Sequence, residues 1–124
     1  MEGKKILVAE DEPNILRSLR LVLEEAGYHV LTAKDGEEAF SKTRDEKPDL
    51  LILDIKMNKM NGYEVYERLQ SDVFPRGMPI VVVTSLGDED EKLEALKSRI
   101  ATVITKPFSP YSVVDKVTEL LRTI

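Results

Sequence analysis

Leu50-Leu51-Ile52-Leu53-Asp54 is the stretch on which the reading of this chain turns. Four consecutive aliphatic residues follow the Pro48-Asp49 breaker, and no polar alternation marks a solvated side. Such a run predicts a strand buried on both faces. Asp54 closes it, so a carboxylate stands where a buried strand opens into a loop. Ligands of parallel α/β sheets bind at the carboxyl ends of the strands, although most strand-terminal Asp residues are caps or turns. Ile55-Lys56-Met57 then leads to Asn61-Gly62, which reads as a turn. A second acidic cluster favours chemistry at Asp54: the apolar run Ile6-Leu7-Val8-Ala9 ends in Glu10-Asp11-Glu12.

The pattern repeats along the chain. Pro13 suits a first helical turn, where its missing N–H costs nothing. Ile15, Leu19, Val22, Leu23 and Ala26 then share one helical face, and Gly27 is a stop. His29–Ala33 reads as a second strand, and Asp35 caps a helix that turns Ala39 and Phe40 inward. His29, the only histidine, is given no role. After the central strand comes a helix with Val65, Tyr66 and Leu69 inward, and Pro75, Gly77 and Pro79 mark the return. Ile80-Val81-Val82-Val83 predicts a fourth buried strand, ending in Thr84-Ser85. Asp88-Glu89-Asp90-Glu91 opens a helix where its dipole favours negative charge, and needs no metal to explain it. Thr102-Val103-Ile104-Thr105 is the fifth strand and ends in Lys106-Pro107. Ser109 and Pro110 start the last helix, whose inward face is Val113, Val114, Val117, Leu120 and Leu121.

Alternating strands and helices predict an α/β fold, a five-stranded parallel sheet with helices on both faces. Right-handed crossovers and a flavodoxin-like (βα)5 arrangement give the strand order 2-1-3-4-5. The 124 residues make one domain, 1–124, able to bury about two-thirds of its unfolded surface. Cysteine is absent, which excludes disulfides and thiol chemistry and fits a cytoplasmic location. No apolar run approaches the ~20 residues of a membrane helix. A net charge of −5 without a basic stripe argues against direct nucleic-acid binding.

The predicted order gathers Glu10, Asp11, Asp54, Thr84, Ser85 and Lys106 in one crevice. Crowded carboxylates take up protons or recruit a cation, and oxygen-only donors favour Mg²⁺ or Mn²⁺. A cation, the Thr84 hydroxyl and the Lys106 ammonium together suit a phosphoryl group carried on a carboxylate. Asp54, on the middle strand, is the best candidate acceptor.

In Ile6–Glu12, Asp49–Asp54, Asn61-Gly62, Val83-Thr84-Ser85 and Lys106-Pro107-Phe108, the sequence resembles the receiver domain of two-component response regulators. The resemblance runs over essentially the whole chain. It implies phosphotransfer to Asp54 from a histidine kinase or a histidine phosphotransfer protein, and signalling to a downstream effector or attached output domain. It also implies Mg²⁺ held by Asp11, Asp54 and the backbone carbonyl of Lys56, with Glu10 acting through water. Thr84 is then the switch hydroxyl and Lys106 the phosphoryl partner. Such a protein is no conventional enzyme but catalyses its own phosphorylation and slow dephosphorylation.

The sequence departs from its relatives at three places. Asn58 replaces a frequent proline and loosens the loop after Asp54. Val103 stands where an aromatic usually swings with the switch hydroxyl. Arg99–Val103 lacks the acidic pair that one subfamily uses to dimerise. No effector domain is present, implying a stand-alone receiver or a piece of a longer regulator.

Three other readings share parts of this pattern. A flavodoxin-like cofactor carrier shares the topology, but Glu10-Asp11-Glu12 would repel the flavin phosphate. An aspartate-nucleophile phosphatase needs a second acid where Lys56 stands. A degenerate receiver-like interaction module would not need the intact Asp11, Asp54, Thr84 and Lys106 set. Two expectations concern detail. The abrupt turn from Lys106 into the last helix predicts a cis Lys106–Pro107 bond. Lys56 and Leu86 are expected to overhang the crevice and slow water attack on a phosphoryl group, since neither can act as a base.

Overall fold

The computed structural model describes residues 3–72, 77–85, 91–97 and 99–122. Strands and helices alternate: β1 (Lys5–Ala9), α1 (Pro13–Glu25), β2 (His29–Ala33), α2 (Gly36–Glu46), β3 (Leu50–Asp54), α3 (Gly62–Asp72), β4 (Ile80–Ser85), α4 (Glu91–Leu96), β5 (Thr102–Lys106) and α5 (Pro110–Arg122). All strand pairs are parallel and the order is β2-β1-β3-β4-β5, as expected from the sequence.

Every residue of β3 is buried, because the period-two alternation of a strand sends its side chains into two separate cores. Leu51 and Leu53 join Leu7, Ala9, Ile80 and Val82 under Ala39, Phe40, Val65 and Leu69 of α2 and α3 and Leu93 of α4. Leu50 and Ile52 join Ile6, Val8, Val81 and Val83 on the other face, under α1 and α5. Each fully buried Leu or Ile contributes about 1.5–3 kcal/mol, so β3 is the mechanical centre of both layers. Ala9 pairs with Leu53, Asp54 with Val83 and Ser85 with Lys106. That register brings the carboxyl ends of β1, β3, β4 and β5 to one edge.

Two local readings are corrected. Ala26 is exposed rather than inward: it is the C-cap of α1, where the chain leaves the helix, its N–H bonding back to Val22 and Leu23 carbonyls. Tyr28 takes the buried place instead, its hydroxyl 2.9 Å from Thr118 Oγ1 on α5. Asn61-Gly62 is a helix start rather than a free turn. Asn61 Oδ1 accepts from the Glu64 N–H at 3.0 Å while Glu64 Oε1 accepts from the Asn61 N–H at 3.2 Å, a reciprocal capping box. Asp35 caps α2 as expected, accepting from the Glu38 N–H at 2.8 Å. The Lys106–Pro107 bond is cis, as expected. Pro75, Leu86 and the Asp88-Glu89-Asp90 part of the acidic run lie outside the described residues.

Candidate functional site

Parallel strands in register deliver their last residues to a common crevice. β1 runs one residue beyond its formal end, the Glu10 N–H donating to the Ala33 carbonyl at 2.9 Å. That extra bond pulls Glu10 into the protein, where it is 1% exposed, while Asp11 is half-buried and Glu12 lies outside. Glu12 is occupied otherwise: its side chain accepts from the Asn14 N–H at 3.0 Å and caps α1. The acidic cluster thus divides into a buried member, a rim member and a helix cap.

Asp54 comes from β3 and is 3% exposed. One carboxylate oxygen each from Glu10, Asp11 and Asp54 lies within 4.8 Å of the others. Lys106 enters from β5, its Nζ 3.0 Å from Asp54 Oδ2 and 3.2 Å from Glu10 Oε1. The other Asp54 oxygen, Oδ1, accepts from the Lys56 N–H at 3.2 Å, and Glu10 Oε2 accepts from the Glu12 N–H at 3.1 Å. Thr84 is 2% exposed and sits one residue past the partner of Asp54 on β4. Ser85, opposite Lys106 in the ladder, is half-buried. It lines a cavity of about 560 Å³ with Asn14, Ile15, Ser18, Lys106 and Phe108, on the α1 side of the crevice. Lys56 is exposed at the rim, and His29 is exposed on an edge strand away from this crevice.

Two buried carboxylates share one ammonium, and this imbalance governs the electrostatics. Burial first, and then the neighbouring Asp54 charge and a shared hydrogen bond, push Glu10 from 4.5 up to about 7. Burial alone would lower Lys106, but the hydrogen bond and charge of Asp54, followed by those of Glu10, outweigh it and raise Lys106. Hence Lys106 is a fixed cation, and near neutral pH Glu10 holds or releases a proton as its surroundings require. The donors are all oxygen, they include a half-exposed acid, and they carry excess negative charge. A divalent hard cation fits such a group.

A family model described as the response regulator receiver domain matches residues 6–118. The chain belongs to that family. Among curated proteins this receiver domain is 42% identical, over 97% of its own length, to the alkaline phosphatase synthesis transcriptional regulatory protein PhoP of Bacillus subtilis. It is 38% identical, over 98% of its length, to the phosphate regulon transcriptional regulatory protein PhoB of Pseudomonas aeruginosa. The aligned residues are 49% and 53% of those two proteins, so the chain spans about half the length of the curated relatives it matches. A solved response regulator receiver domain protein, CheY-like, from Methanospirillum hungatei superposes with a TM-score of 0.86 at 30% identity, covering 97% of this chain and 94% of that one. Membership of this family leaves the flavin-carrier reading without support. No helix among the described residues is long and apolar enough to cross a membrane.

The sequence reading missed the packing that shapes the exit of β3. Gly62, taken for a turn residue, begins α3 against the strand itself: a Cβ there would lie 2.7 Å from the Asp54 carbonyl oxygen and 2.8 Å from Ile55 Cα. Its N–H donates to the Ile55 carbonyl at 2.8 Å. An Asn-Gly pair signals a turn whether or not a backbone lies close by, so the local sequence could not separate the two.

Proposed function

We propose that this receiver accepts a phosphoryl group on Asp54. The observation that carries the proposal is the grouping of Glu10, Asp11 and Asp54 within 4.8 Å, with Lys106 on Asp54 Oδ2. An Asp54 oxygen attacks the phosphorus of a donor, the bond from phosphorus to the donor's nitrogen or oxygen breaks, and the donor leaves with that electron pair. A histidine kinase or a histidine phosphotransfer protein is the proposed natural donor. Asp11, Asp54 and the Lys56 carbonyl would hold Mg²⁺ directly and Glu10 would hold it through water; the ion supplies positive charge to the phosphoryl oxygens. Lys106 already contacts Asp54 and supplies a second positive charge to the same group. Thr84 would donate its hydroxyl to a phosphoryl oxygen, and Ser85 stands beside Lys106 at the outer side of the site. The signal would pass to a downstream effector or an output domain.

The test is intact mass after incubation with acetyl phosphate and Mg²⁺. Wild type should gain one phosphoryl group, and Asp54→Ala or removal of Mg²⁺ should abolish the gain. Equal labelling of wild type and Asp54→Ala would remove Asp54 from the role.

We further propose that the phosphorylated state hydrolyses slowly. Hydrolysis needs a water oriented by an acceptor, and Lys56 at the rim is a donor only. Leu86, the other residue assigned to water exclusion, lies outside the described residues. Lys56→Asn should therefore release phosphate faster than wild type, measured on purified phosphorylated protein. Equal rates would mean that Lys56 does not limit water attack.

A further inference from the structure

The loop between β3 and α3, residues 55–61, is held from outside by the first turn of α2. The Gly36 N–H donates to the Asn58 carbonyl at 3.2 Å, and the same carbonyl accepts from the Met60 N–H at 2.8 Å. Lys59, between them, has φ 68°, a left-handed conformation that side-chain-bearing residues hold only when the surroundings impose it. Its ammonium lies 3.7 Å from Asp35 Oδ2, the same side chain that caps α2. The contact at Gly36 is close. A Cβ there would lie 1.7 Å from the Met60 carbonyl oxygen and 2.4 Å from its carbonyl carbon. Those are backbone atoms and cannot swing aside, so only glycine permits this approach. At its far end the loop is fixed by Gly62 against Asp54 and Ile55.

Lys56 lies between Asp54 and these two anchors. Its N–H is already committed to Asp54 Oδ1 at 3.2 Å, so the peptide plane on that side is set by the strand. The direction of its carbonyl then depends on how the chain continues through Met57 to Asn58, and Asn58 is where α2 takes hold. We infer that Gly36 is a positioning residue for the phosphorylation site: by admitting the loop against α2 and bonding Asn58, it aims the Lys56 carbonyl at the cation. This rests on the reading of Asp54 and its metal group proposed above. The expected looseness at Asn58 is thereby offset, because the restraint acts on its backbone carbonyl and not on its side chain.

The experiment compares wild type with Gly36→Ala by Mg²⁺ titration calorimetry and by acetyl phosphate labelling as a function of Mg²⁺. Changes in groups that orient metal ligands typically cost about 10–100-fold in affinity. Gly36→Ala should bind Mg²⁺ at least about tenfold more weakly and label at the wild-type rate once Mg²⁺ is saturating. Unchanged Mg²⁺ affinity in a folded Gly36→Ala would overturn the inference, as would a labelling rate that saturating Mg²⁺ does not restore. A wild type that neither binds Mg²⁺ nor labels would instead sink the functional reading beneath it. If Gly36→Ala does not fold, the amide NMR signals of the wild type decide. The Gly36 and Lys56 amides should shift together with a common Mg²⁺ midpoint, and a Gly36 amide indifferent to Mg²⁺ would overturn the inference.

Discussion

The two ends of the parallel sheet carry the same kinds of charge and arrange them differently. At the amino end, Lys5 Nζ stands 3.8 Å from a Glu46 carboxylate oxygen, with side chains 37% and 49% exposed. Asp49 there accepts the Lys5 backbone N–H at 2.7 Å, and the charges lie where water screens them. At the carboxyl end, Glu10 and Asp54 are buried, Asp11 stands at the rim, and Lys106 is the ammonium between the first two. The amino end joins neighbouring elements at little electrostatic cost. The carboxyl end keeps an excess of negative charge out of water, and the displaced protonation of Glu10 is the sign of that cost. A fold needs only the first arrangement; a receptor for a cation and a phosphoryl group needs the second.

The largest effect should follow from removing the buried ammonium. Lys106→Ala strands Glu10 and Asp54, and breaking a buried pair costs about 3–5 kcal/mol. The low end applies, about 3 kcal/mol, because Lys106 keeps 20% of its side chain in solvent. Urea unfolding of metal-free protein above pH 7 measures it, and a loss under about 1 kcal/mol would place this ion pair with the exposed ones.

A second effect separates the ends by pH. Glu10 is raised from 4.5 to about 7 in the folded protein, so the folded state holds an extra proton between those values. The stability tied to that proton is whole below about 4.5 and is lost as pH rises through about 7. Metal-free wild type should therefore lose stability across this window relative to Glu10→Gln, read from melting temperatures. Parallel curves for the two proteins would show that Glu10 titrates normally. The smallest effect is expected at the other end: Lys5→Ala should cost less than about 1 kcal/mol and leave phosphoryl labelling unchanged. Reduced labelling there would couple two ends that the structure keeps apart.

Much of this was legible because chemistry and topology share one cause. Apolar runs mark buried strands, and the residue that closes each run falls at the crevice by strand order alone. Glu10, Asp54, Thr84 and Lys106 could thus be brought together before any coordinates. Features that depend on close approach between distant segments were not legible. Nothing near Gly36 in sequence shows that the Met60 carbonyl will lie against it. Tyr28, in the turn between α1 and β2, finds Thr118 of α5 ninety positions away, and local spacing gave that inward place to Ala26 instead. The division of Glu10-Asp11-Glu12 depends on where β1 stops pairing and α1 begins, a matter of one hydrogen bond. Acidity was readable in that triplet, but burial was not.

The claim that the carboxyl end is a phosphoacceptor site centred on β3 is tested most directly by locating the modified residue. Borohydride reduces an aspartyl phosphate to homoserine, which survives digestion and is read by peptide mass spectrometry. After acetyl phosphate and Mg²⁺ treatment, homoserine should appear at residue 54 and at no other carboxylate. Homoserine at residue 11 in place of 54, or none at either position in protein that has gained a phosphoryl group, would show that Asp54 is not the acceptor.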